Sequence, residues 1–332
     1  MSLGEFELIR RFFRGSALER AGEDSGVVLG IGDDAALLHP PVGHRLVVST
    51  DTLVEGVHFP SAYAPDDLGY RALAVAVSDI AAMAARPLGF TLALTLPAID
   101  EGWMGDFCRG LAAAARDFRI TLIGGDTTRG PLNIGVTVIG SVPAGREVRR
   151  SGAQAGDLLC VSGPLGDGAA GLAVVEQRDL PSALSPAELD YLRQRFWRPQ
   201  AQCDFGTELA LVASAGIDVS DGLLADAGHL ASESGVGIEI QVADLPCSSA
   251  LLRWPKAQRL EWMLRGGDDY VLLFTLPPAS REKLKVWRAA GFPVVVIGRA
   301  VAGDGVWLEQ EGMRERVDGR GGYQHFCGES HG

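Results

Sequence analysis

The stretch Leu46-Val47-Val48-Ser49-Thr50-Asp51 places a carboxylate directly after a run of apolar and β-branched residues. Such a run predicts a strand, and a carboxylate beside buried hydrocarbon is unfavourable unless a cation compensates it. The same arrangement recurs at Asp33-Asp34, Asp79, Asp126, and Asp218 with Asp221. No lysine lies in these segments, and the arginine close by is Arg129. We therefore infer that the missing cations are metal ions, above all Mg²⁺, and that they accompany a nucleotide phosphate.

Composition sets the broad class of the chain. Its 332 residues favour two domains, and 47% hydrophobic with 22% charged residues describes a globular chain with an ample core. The net charge of -12 argues against a nucleic acid or an anionic membrane as the main partner. The longest apolar stretch, 72–85, is interrupted by Ser78 and Asp79 and is too short and too polar to span a bilayer.

The cysteines indicate a reducing compartment. They are odd in number and widely spaced: Cys108, Cys160, Cys203, Cys247 and Cys327. This spacing provides neither a Cys-x-x-Cys zinc motif nor a dense disulfide framework. The segment Met1–Glu7 carries acidic residues where a signal peptide carries bases and an apolar core. We expect a cytoplasmic protein.

Hydrophobic periodicity predicts an α/β (α+β) fold with two layered domains. Helices are predicted at 5–14, 66–85, 101–118, 186–196, 201–214 and 223–234, and from Ala169 onward. Strands are predicted at 27–31, 46–50, 90–96, 122–123, 132–142, 157–161, 217–219, 236–242, 270–276 and 293–297. A turn is expected at Gly124–Gly130. Pro143-Ala144-Gly145 breaks the pattern, so we predict domains at 1–145 and 146–332.

Each acidic motif also has an ordinary structural interpretation. Asp33-Asp34 and Gly266–Tyr270 suit turns, and Gly124–Gly130 suits a hairpin. Asp51, Ser220 or Asp221 could cap a helix or a turn. Asp79 lies in the middle of a predicted helix, where a surface stripe with Asp67 and Arg71 would explain it, although the surrounding alanines indicate close packing. Asp218 is harder to explain as a cap.

The loop Gly163–Gly168 resembles a phosphate cradle at the start of a helix. It lacks the Gly-Lys-Ser/Thr ending of a P-loop and is not a dinucleotide fingerprint. No nucleophile elbow is visible, so acyl transfer is disfavoured. The residues by themselves indicate a two-domain protein with carboxylate metal sites that handles phosphorylated ligands.

In order and spacing, these motifs resemble the thiamine-monophosphate kinase family. The similarity runs from Gly4 to the region of Tyr323, nearly the whole chain. The matching stretches are Gly4–Phe6, Gly30–Ala36, Ser49–Phe59, Ala74–Ala82, Gly124–Gly130, Arg150–Ala153, Asp218–Gly222 and Gly266–Tyr270.

The resemblance implies the PurM-like fold of the aminoimidazole ribonucleotide synthetase superfamily. In that fold the N-terminal ATP- and metal-binding domain pairs with its counterpart in a homodimer, and the C-terminal α/β domain closes over the site. The implied reaction is direct in-line transfer of a phosphoryl group from ATP to thiamine monophosphate. The product is thiamine diphosphate, and the step is the last of its biosynthesis.

The resemblance also implies roles for individual residues. The implied Mg²⁺ ligands are Asp34, Ser49, Thr50, Asp51, Asp79, Asp126, Asp218 and Asp221. The implied ATP site comprises Gly125, Asp126, Arg150 and Ser220. The implied substrate contacts are His58, Asp268 and Tyr323, and the catalytic residues are Asp51, Asp126 and Arg150. At Asp268 the family often has Glu, so the side chain here is one methylene shorter, and its contact with the substrate is expected to be longer, water-mediated or absent.

Two alternatives remain open. The first is another superfamily enzyme with a different phosphoacceptor. Selenophosphate synthetase needs a reactive cysteine in the N-terminal region, whereas the first cysteine here is Cys108. The hydrogenase-maturation relative ends in a reactive cysteine, whereas five residues follow Cys327. The second alternative is a non-catalytic regulatory protein that binds Mg²⁺ and nucleotide.

Overall fold

The computed structural model describes residues 4–19 and 26–317. The described residues pack into two compact units. The first lies within Met1–Glu147 and Trp197–Ala210, and the second within Val148–Phe196 and Leu211–Gly332. The domain limits 1–145 and 146–332 stay a prediction. No sequence pattern signals that a later segment, Trp197–Ala210, packs with the first unit.

The helices are α1 (Glu5–Leu8), α2 (Pro65–Ala82), α3 (Glu101–Asp117), α4 (Asp167–Val175), α5 (Pro186–Trp197), α6 (Cys203–Leu209), α7 (Leu223–Ser234), α8 (Lys256–Arg265) and α9 (Lys283–Ala289). A π-helical turn, Ile9–Phe13, continues α1. Short 3₁₀ turns occupy Val242–Asp244, Leu251–Arg253 and Pro278–Ser280.

The strands are β1 (Val27–Leu29), β2 (Leu37–Leu38), β3 (His44–Val54), β4 (Arg86–Leu96), β5 (Thr121–Arg129), β6 (Asn133–Pro143), β7 (Leu158–Val161), β8 (Ala215–Asp218), β9 (Gly237–Gln241), β10 (Leu272–Leu276), β11 (Val295–Val301), β12 (Val306–Gln310) and β13 (Met313–Val317). They form a β1–β2 pair, a four-stranded sheet and a seven-stranded sheet.

The first unit is built on the four-stranded sheet, in the order β3-β6-β4-β5. Strands β4 and β5 run parallel, and the other neighbours are antiparallel. Helix α2 packs on this sheet and against α3 and α6. It begins at Pro65, which suits the first helical position, and carries Asp66 and Asp67 where the positive end of the helix dipole stabilises them.

The two faces of this sheet differ in burial. Side chains alternate between faces along a strand, so Ser49 and Asp51 share the face that carries the buried Leu53. On the opposite face, Leu46 and Val48 are 47% and 60% exposed. The sheet therefore has a helix-covered face and an open face with exposed apolar side chains.

The second unit is built on the seven-stranded sheet, in the order β13-β12-β9-β11-β7-β10-β8. Strand β12 pairs with β9 in parallel, and the other neighbouring pairs are antiparallel. Its core contains Leu159, Val161, Ile240 and Leu273, all fully buried, with apolar side chains of α7 packed against them. Strand β8 lies at one edge, so its last residue, Asp218, is placed at an edge of the sheet.

Several predicted elements have different limits in the structure. The turn expected at Gly124–Gly130 is wrong, because Thr121–Arg129 is a continuous strand. The alternative of a hairpin is also wrong, since β5 pairs with β4 and β6 does not neighbour it. Asp51 does not end its strand, because β3 continues to Val54 through its ladder with β6. These limits depend on pairing partners far away in the sequence.

Two further features concern helix length and the cysteines. Within 4–19 and 26–317, no helix is long and apolar enough to cross a membrane. The cysteines in this part of the chain, Cys108, Cys160, Cys203 and Cys247, are free thiols. Cys327 lies outside the described residues.

Candidate functional site

Strand β3 and helix α2 bring three of the predicted ligands to one side of the first sheet. The Ser49 hydroxyl donates a hydrogen bond of 2.5 Å to Oδ2 of Asp79. Asp51 lies two residues further along β3, so its side chain projects from the same face as Ser49. Asp79 is half-buried within α2, where the sequence pattern predicted a carboxylate in mid-helix. Ser49, Asp51 and Asp79 thus form a set of hard oxygen donors on the helix-covered face.

Thr50 lies on the other face of the same strand. Its hydroxyl is 2.9 Å from that of Thr137, its neighbour on β6, and its side chain is exposed. The hydroxyl groups of Ser49 and Thr50 therefore point to opposite faces and cannot bind one ion together.

Gly125 and Asp126 lie on β5, at the edge opposite β3. The ladders align Asp51 with Val136, Leu92 and Gly125 in one row, and Thr52 with Gly135, Ala93 and Asp126 in the next. Asp126 therefore projects from the open face. Three strand spacings separate β3 from β5, which is roughly 14 Å. Asp51 and Asp126, both implied Mg²⁺ ligands, therefore do not lie close together within one chain.

Asp34 lies in the loop between β1 and β2. It is exposed, and its backbone N–H donates to Oδ1 of Asp33 at 2.9 Å. This is a local contact between neighbouring residues of the loop, and the Asp34 side chain stays exposed.

His58 follows the end of β3 and is half-buried. The backbone N–H of Val54 donates to its Nδ1 at 3.0 Å. A neutral imidazole that accepts at Nδ1 carries its proton on Nε2. The local geometry therefore makes Nε2 a hydrogen-bond donor, as a contact to a phosphate oxygen requires.

In the second unit, Asp218 ends β8 and is 4% exposed. Ser220 and Asp221 follow it, and neither caps α7. Instead, Oδ2 of the buried Asp226 accepts from the backbone N–H groups of Asp221 (3.2 Å) and Gly222 (3.1 Å). Burial, with Asp218 and Asp221 nearby, raises the pKa of Asp226 well above its ordinary value. Sequence reasoning missed Asp226, although its place in the first turn of a predicted helix was a possible signal.

Asp268 is held beside Ser220. The Asp268 N–H donates to the Ser220 carbonyl at 2.9 Å, and the Tyr270 N–H donates to that of Val219 at 2.8 Å. The Tyr270 hydroxyl donates to Oδ1 of Asp268 at 2.9 Å. Glycine is needed nearby, because a Cβ on Gly267 would lie 2.3 Å from the Ser220 oxygen. The structure thus brings together the predicted ATP-site residue Ser220 and the predicted substrate residue Asp268.

The glycine loop does not present the free phosphate cradle that its sequence suggests. The N–H groups of Gly166 and Gly168 donate to Oδ2 and Oδ1 of Asp269, at 2.6 and 2.9 Å. An internal carboxylate therefore takes the place that a phosphate would occupy. Burial raises the pKa of Asp269 to about 7, although these two hydrogen bonds and Arg195 oppose the shift. Sequence reasoning assigned no role to Asp269, and its signal was the second acid of Gly266–Tyr270.

The remaining predicted residues are Arg150 and Tyr323. The backbone oxygen of Arg150 accepts from the Ser234 hydroxyl at 2.9 Å, and its side chain is exposed. This arrangement anchors the main chain and leaves the guanidinium facing solvent. Tyr323 lies outside the described residues.

The predicted metal ligands match Mg²⁺ in chemistry, since they are carboxylate and hydroxyl oxygens. Among the residues that the structure describes, however, no three His, Cys, Asp or Glu side chains are grouped so that they could hold a metal ion. In the first unit, β3 and β5 lie at opposite edges of the sheet, so Asp51 and Asp126 are not grouped within one chain. The Mg²⁺ ligand set stays a prediction.

Comparison with known proteins decides the family. Residues 32–142 match the family AIR synthase related protein, N-terminal domain, and residues 154–309 match the corresponding C-terminal domain. The thiamine-monophosphate kinase of Salmonella typhimurium is 46% identical over 333 residues, covering 98% of this chain and 99% of the relative. The chain belongs to the thiamine-monophosphate kinase family.

Two solved structures of similar proteins agree with this assignment. Thiamine-monophosphate kinase from Stenotrophomonas maltophilia K279a has a TM-score of 0.83 at 45% identity, over 94% of this chain and 99% of that chain. A structure described as AaThiL complexed with AMPPCP and TMP has a TM-score of 0.76 at 34% identity, over 98% and 99%. The resemblance to thiamine-monophosphate kinases and the PurM-like α/β fold class are confirmed. The roles of individual residues stay predictions.

Proposed function

We propose that this protein uses ATP to phosphorylate thiamine monophosphate to thiamine diphosphate, the last step of thiamine diphosphate biosynthesis. The observation that carries this function is similarity to thiamine-monophosphate kinases over 98% of the chain. The similar structure described as a complex with AMPPCP and TMP supports both substrates. The enzyme is thus a kinase whose acceptor is itself a phosphate group.

The chemistry of the acceptor explains what the protein must supply. A phosphate monoester has a second pKa near 6, so its oxygen is already anionic near neutral pH. No strong general base is then needed, and direct in-line transfer without a phospho-enzyme is sufficient. The remaining difficulty is to bring two polyanions together. Mg²⁺ ions, when bound, would neutralise this charge and align the reacting oxygens.

The residues divide this work between them. Asp34, Ser49, Thr50, Asp51, Asp79, Asp126, Asp218 and Asp221 are the proposed Mg²⁺ ligands. Gly125, Asp126, Arg150 and Ser220 are proposed to bind ATP, with the exposed Arg150 guanidinium free to pair with phosphate oxygens. His58 is proposed to donate from Nε2 to the substrate phosphate, since Nδ1 accepts from Val54. Asp268 and Tyr323 complete the substrate site, and Asp51, Asp126 and Arg150 carry the catalytic role.

A homodimer is part of this proposal. The open face of the first sheet exposes Leu46 and Val48, and such a face is stabilised when another surface covers it. Asp51 and Asp126 lie roughly 14 Å apart in one chain. Asp126 projects from the open face and Asp51 from the helix-covered face, so covering the open face does not by itself join them. A site that uses both residues needs Asp51 of one chain and Asp126 of another to meet at an edge of the sheet.

The cytoplasm is the proposed location. The support is chemical: Cys108, Cys160, Cys203 and Cys247 are all free thiols, as a reducing compartment maintains them.

One assay tests the function. Purified protein is incubated with ATP and Mg²⁺, with and without thiamine monophosphate, and the products are identified by mass. We expect ADP and thiamine diphosphate in equal amounts, formed only when both substrates are present. ATP consumption with another phosphoacceptor alone would indicate a different superfamily enzyme. Nucleotide binding without turnover would indicate a regulatory protein.

A further inference from the structure

Asp269 is a buried carboxylate that the proposed mechanism does not use. It is 1% exposed, and both carboxylate oxygens accept backbone hydrogen bonds, from Gly166 at 2.6 Å and Gly168 at 2.9 Å. Its own carbonyl accepts from Nη2 of Arg195 at 2.9 Å. Asp269 therefore ties its segment to the glycine loop through its side chain and to α5 through its main chain.

The residues on either side of Asp269 have an unusual backbone conformation. Asp268 has a φ of 66° and Tyr270 a φ of 51°. Both values lie in the left-handed region, which residues other than glycine rarely adopt. Such conformations persist only where the surroundings over-determine them, and they concentrate at functional sites. Here the surroundings are the Asp269 hydrogen bonds on one side and the Ser220 and Val219 carbonyls on the other.

The glycine loop approaches the Asp268 backbone so closely that Gly168 has no room for a side chain. A Cβ added to Gly168 would lie 2.4 Å from the Asp268 carbonyl oxygen. The glycine loop is thus shaped to receive the backbone of Asp268 and the carboxylate of Asp269.

We propose that Asp269 is a positioning residue, which acts by holding Asp268 in its left-handed conformation so that the Asp268 carboxylate faces the substrate. This inference rests on the proposed function and deepens its substrate site. It gives the glycine loop a role different from phosphate binding: the loop supplies two N–H groups to an internal anion, and that anion orients the neighbouring side chain.

The chemistry of the cradle explains why a carboxylate is required. Two N–H donors converge on the side chain, and a carboxylate offers an acceptor oxygen to each. An asparagine offers one oxygen and turns its NH₂ group toward the second donor. Asp269→Asn therefore breaks one hydrogen bond and loosens the segment without changing its size.

The test is a double-mutant cycle between Asp269→Asn and Asp268→Ala in the full-length chain, at about pH 8, where Asp269 is mostly ionised. We expect Asp269→Asn to raise the KM for thiamine monophosphate roughly ten-fold and to leave the KM for ATP unchanged. In the Asp268→Ala background, Asp269→Asn should cause no further increase in the KM for thiamine monophosphate, because the side chain that Asp269 positions is absent. The melting temperature should fall equally in both backgrounds.

Equal and additive effects of Asp269→Asn on KM in both backgrounds would overturn the proposal and leave Asp269 a structural residue. If this variant does not fold, Arg195→Lys provides the same comparison. It keeps a positive charge near Asp167 but removes the planar donor to the Asp269 carbonyl. A KM increase present in both backgrounds would again overturn the proposal. Failure of the proposed function is distinct, because the unaltered protein would then form no thiamine diphosphate.

Discussion

The Ser49 hydroxyl donates a hydrogen bond to the Asp79 carboxylate, joining the middle of β3 to helix α2. Ser49→Ala removes this donor from a half-buried carboxylate that is a proposed Mg²⁺ ligand. We expect the Mg²⁺ concentration for half-maximal activity to rise roughly three- to ten-fold, measured in steady-state assays at saturating substrates.

Ser141→Ala is the matched control for this change. Ser141 lies in the same sheet, is buried, and approaches His44 rather than a proposed ligand. Its replacement should leave the Mg²⁺ dependence unaltered. If activity depends on Mg²⁺ concentration in the same way for Ser49→Ala and the unaltered protein, Ser49 and its hydrogen bond to Asp79 do not contribute to metal binding.

The separation of Asp51 and Asp126 predicts complementation between inactive variants. Asp51→Asn and Asp126→Asn are each expected to abolish most activity. In a mixed dimer whose sites combine Asp51 of one chain with Asp126 of the other, one of the two sites contains both native residues. Random mixing after joint refolding should therefore restore roughly a quarter of the native activity. No recovery in a verified mixed dimer would mean that the sites are not shared between chains.

The hydrogen bond from Val54 to His58 separates two functions of the imidazole ring. His58→Asn keeps an acceptor near the position of Nδ1 and loses the donor at Nε2, whereas His58→Gln places an amide donor near Nε2. We expect His58→Asn to raise the KM for thiamine monophosphate roughly ten-fold and to keep the native melting temperature. His58→Gln should bind substrate better than His58→Asn. A higher KM for His58→Gln than for His58→Asn would exclude a substrate contact through Nε2.

The buried Asp269 predicts a pH dependence of stability. Burial raises its pKa from 3.8 to about 7, so between these values the folded protein holds a proton that the unfolded chain has released. Stability should therefore fall as pH rises through this window, by up to about 1.4 kcal/mol per pH unit. Asp167 and Arg195 are the charged groups that act on this carboxyl.

Urea unfolding of the unaltered protein and of Asp269→Asn across this pH range measures the effect. The difference between their free energies of unfolding should change with pH below about pH 7 and become constant above it. A difference independent of pH would show that Asp269 titrates near its ordinary pKa.

Much of the fold could be predicted from local sequence patterns. Helix α7 was predicted with its observed limits at 223–234, because its apolar spacing and flanking glycines act locally. The limits of β3 and β5 could not be predicted in this way. Both continue past polar residues because strands distant in sequence satisfy their backbone groups.

The candidate site likewise has features that the sequence predicts and features that it does not. The residue types and spacing of Asp51, Asp79, Asp126 and Asp218 were sufficient to predict carboxylate sites and a phosphorylated ligand. Their mutual distances were not predictable. Strand order places Asp51 and Asp126 at opposite edges, and this order arises from pairings across the whole first unit. Likewise, a glycine loop has the same sequence whether a phosphate or Asp269 fills it.

The sequence by itself determined the family, the α/β class, and the acidic, glycine-flanked segments, because these depend on residue identity and local spacing. Only the tertiary structure decided which face of β3 each side chain occupies, which edge carries Asp126, and which anion the glycine loop binds. The physical reason is that strand register, sheet order and buried hydrogen bonds are set by the packing of segments that are remote in sequence. Asp269 shows this most directly, since its role follows from contacts with residues about a hundred positions earlier in the chain.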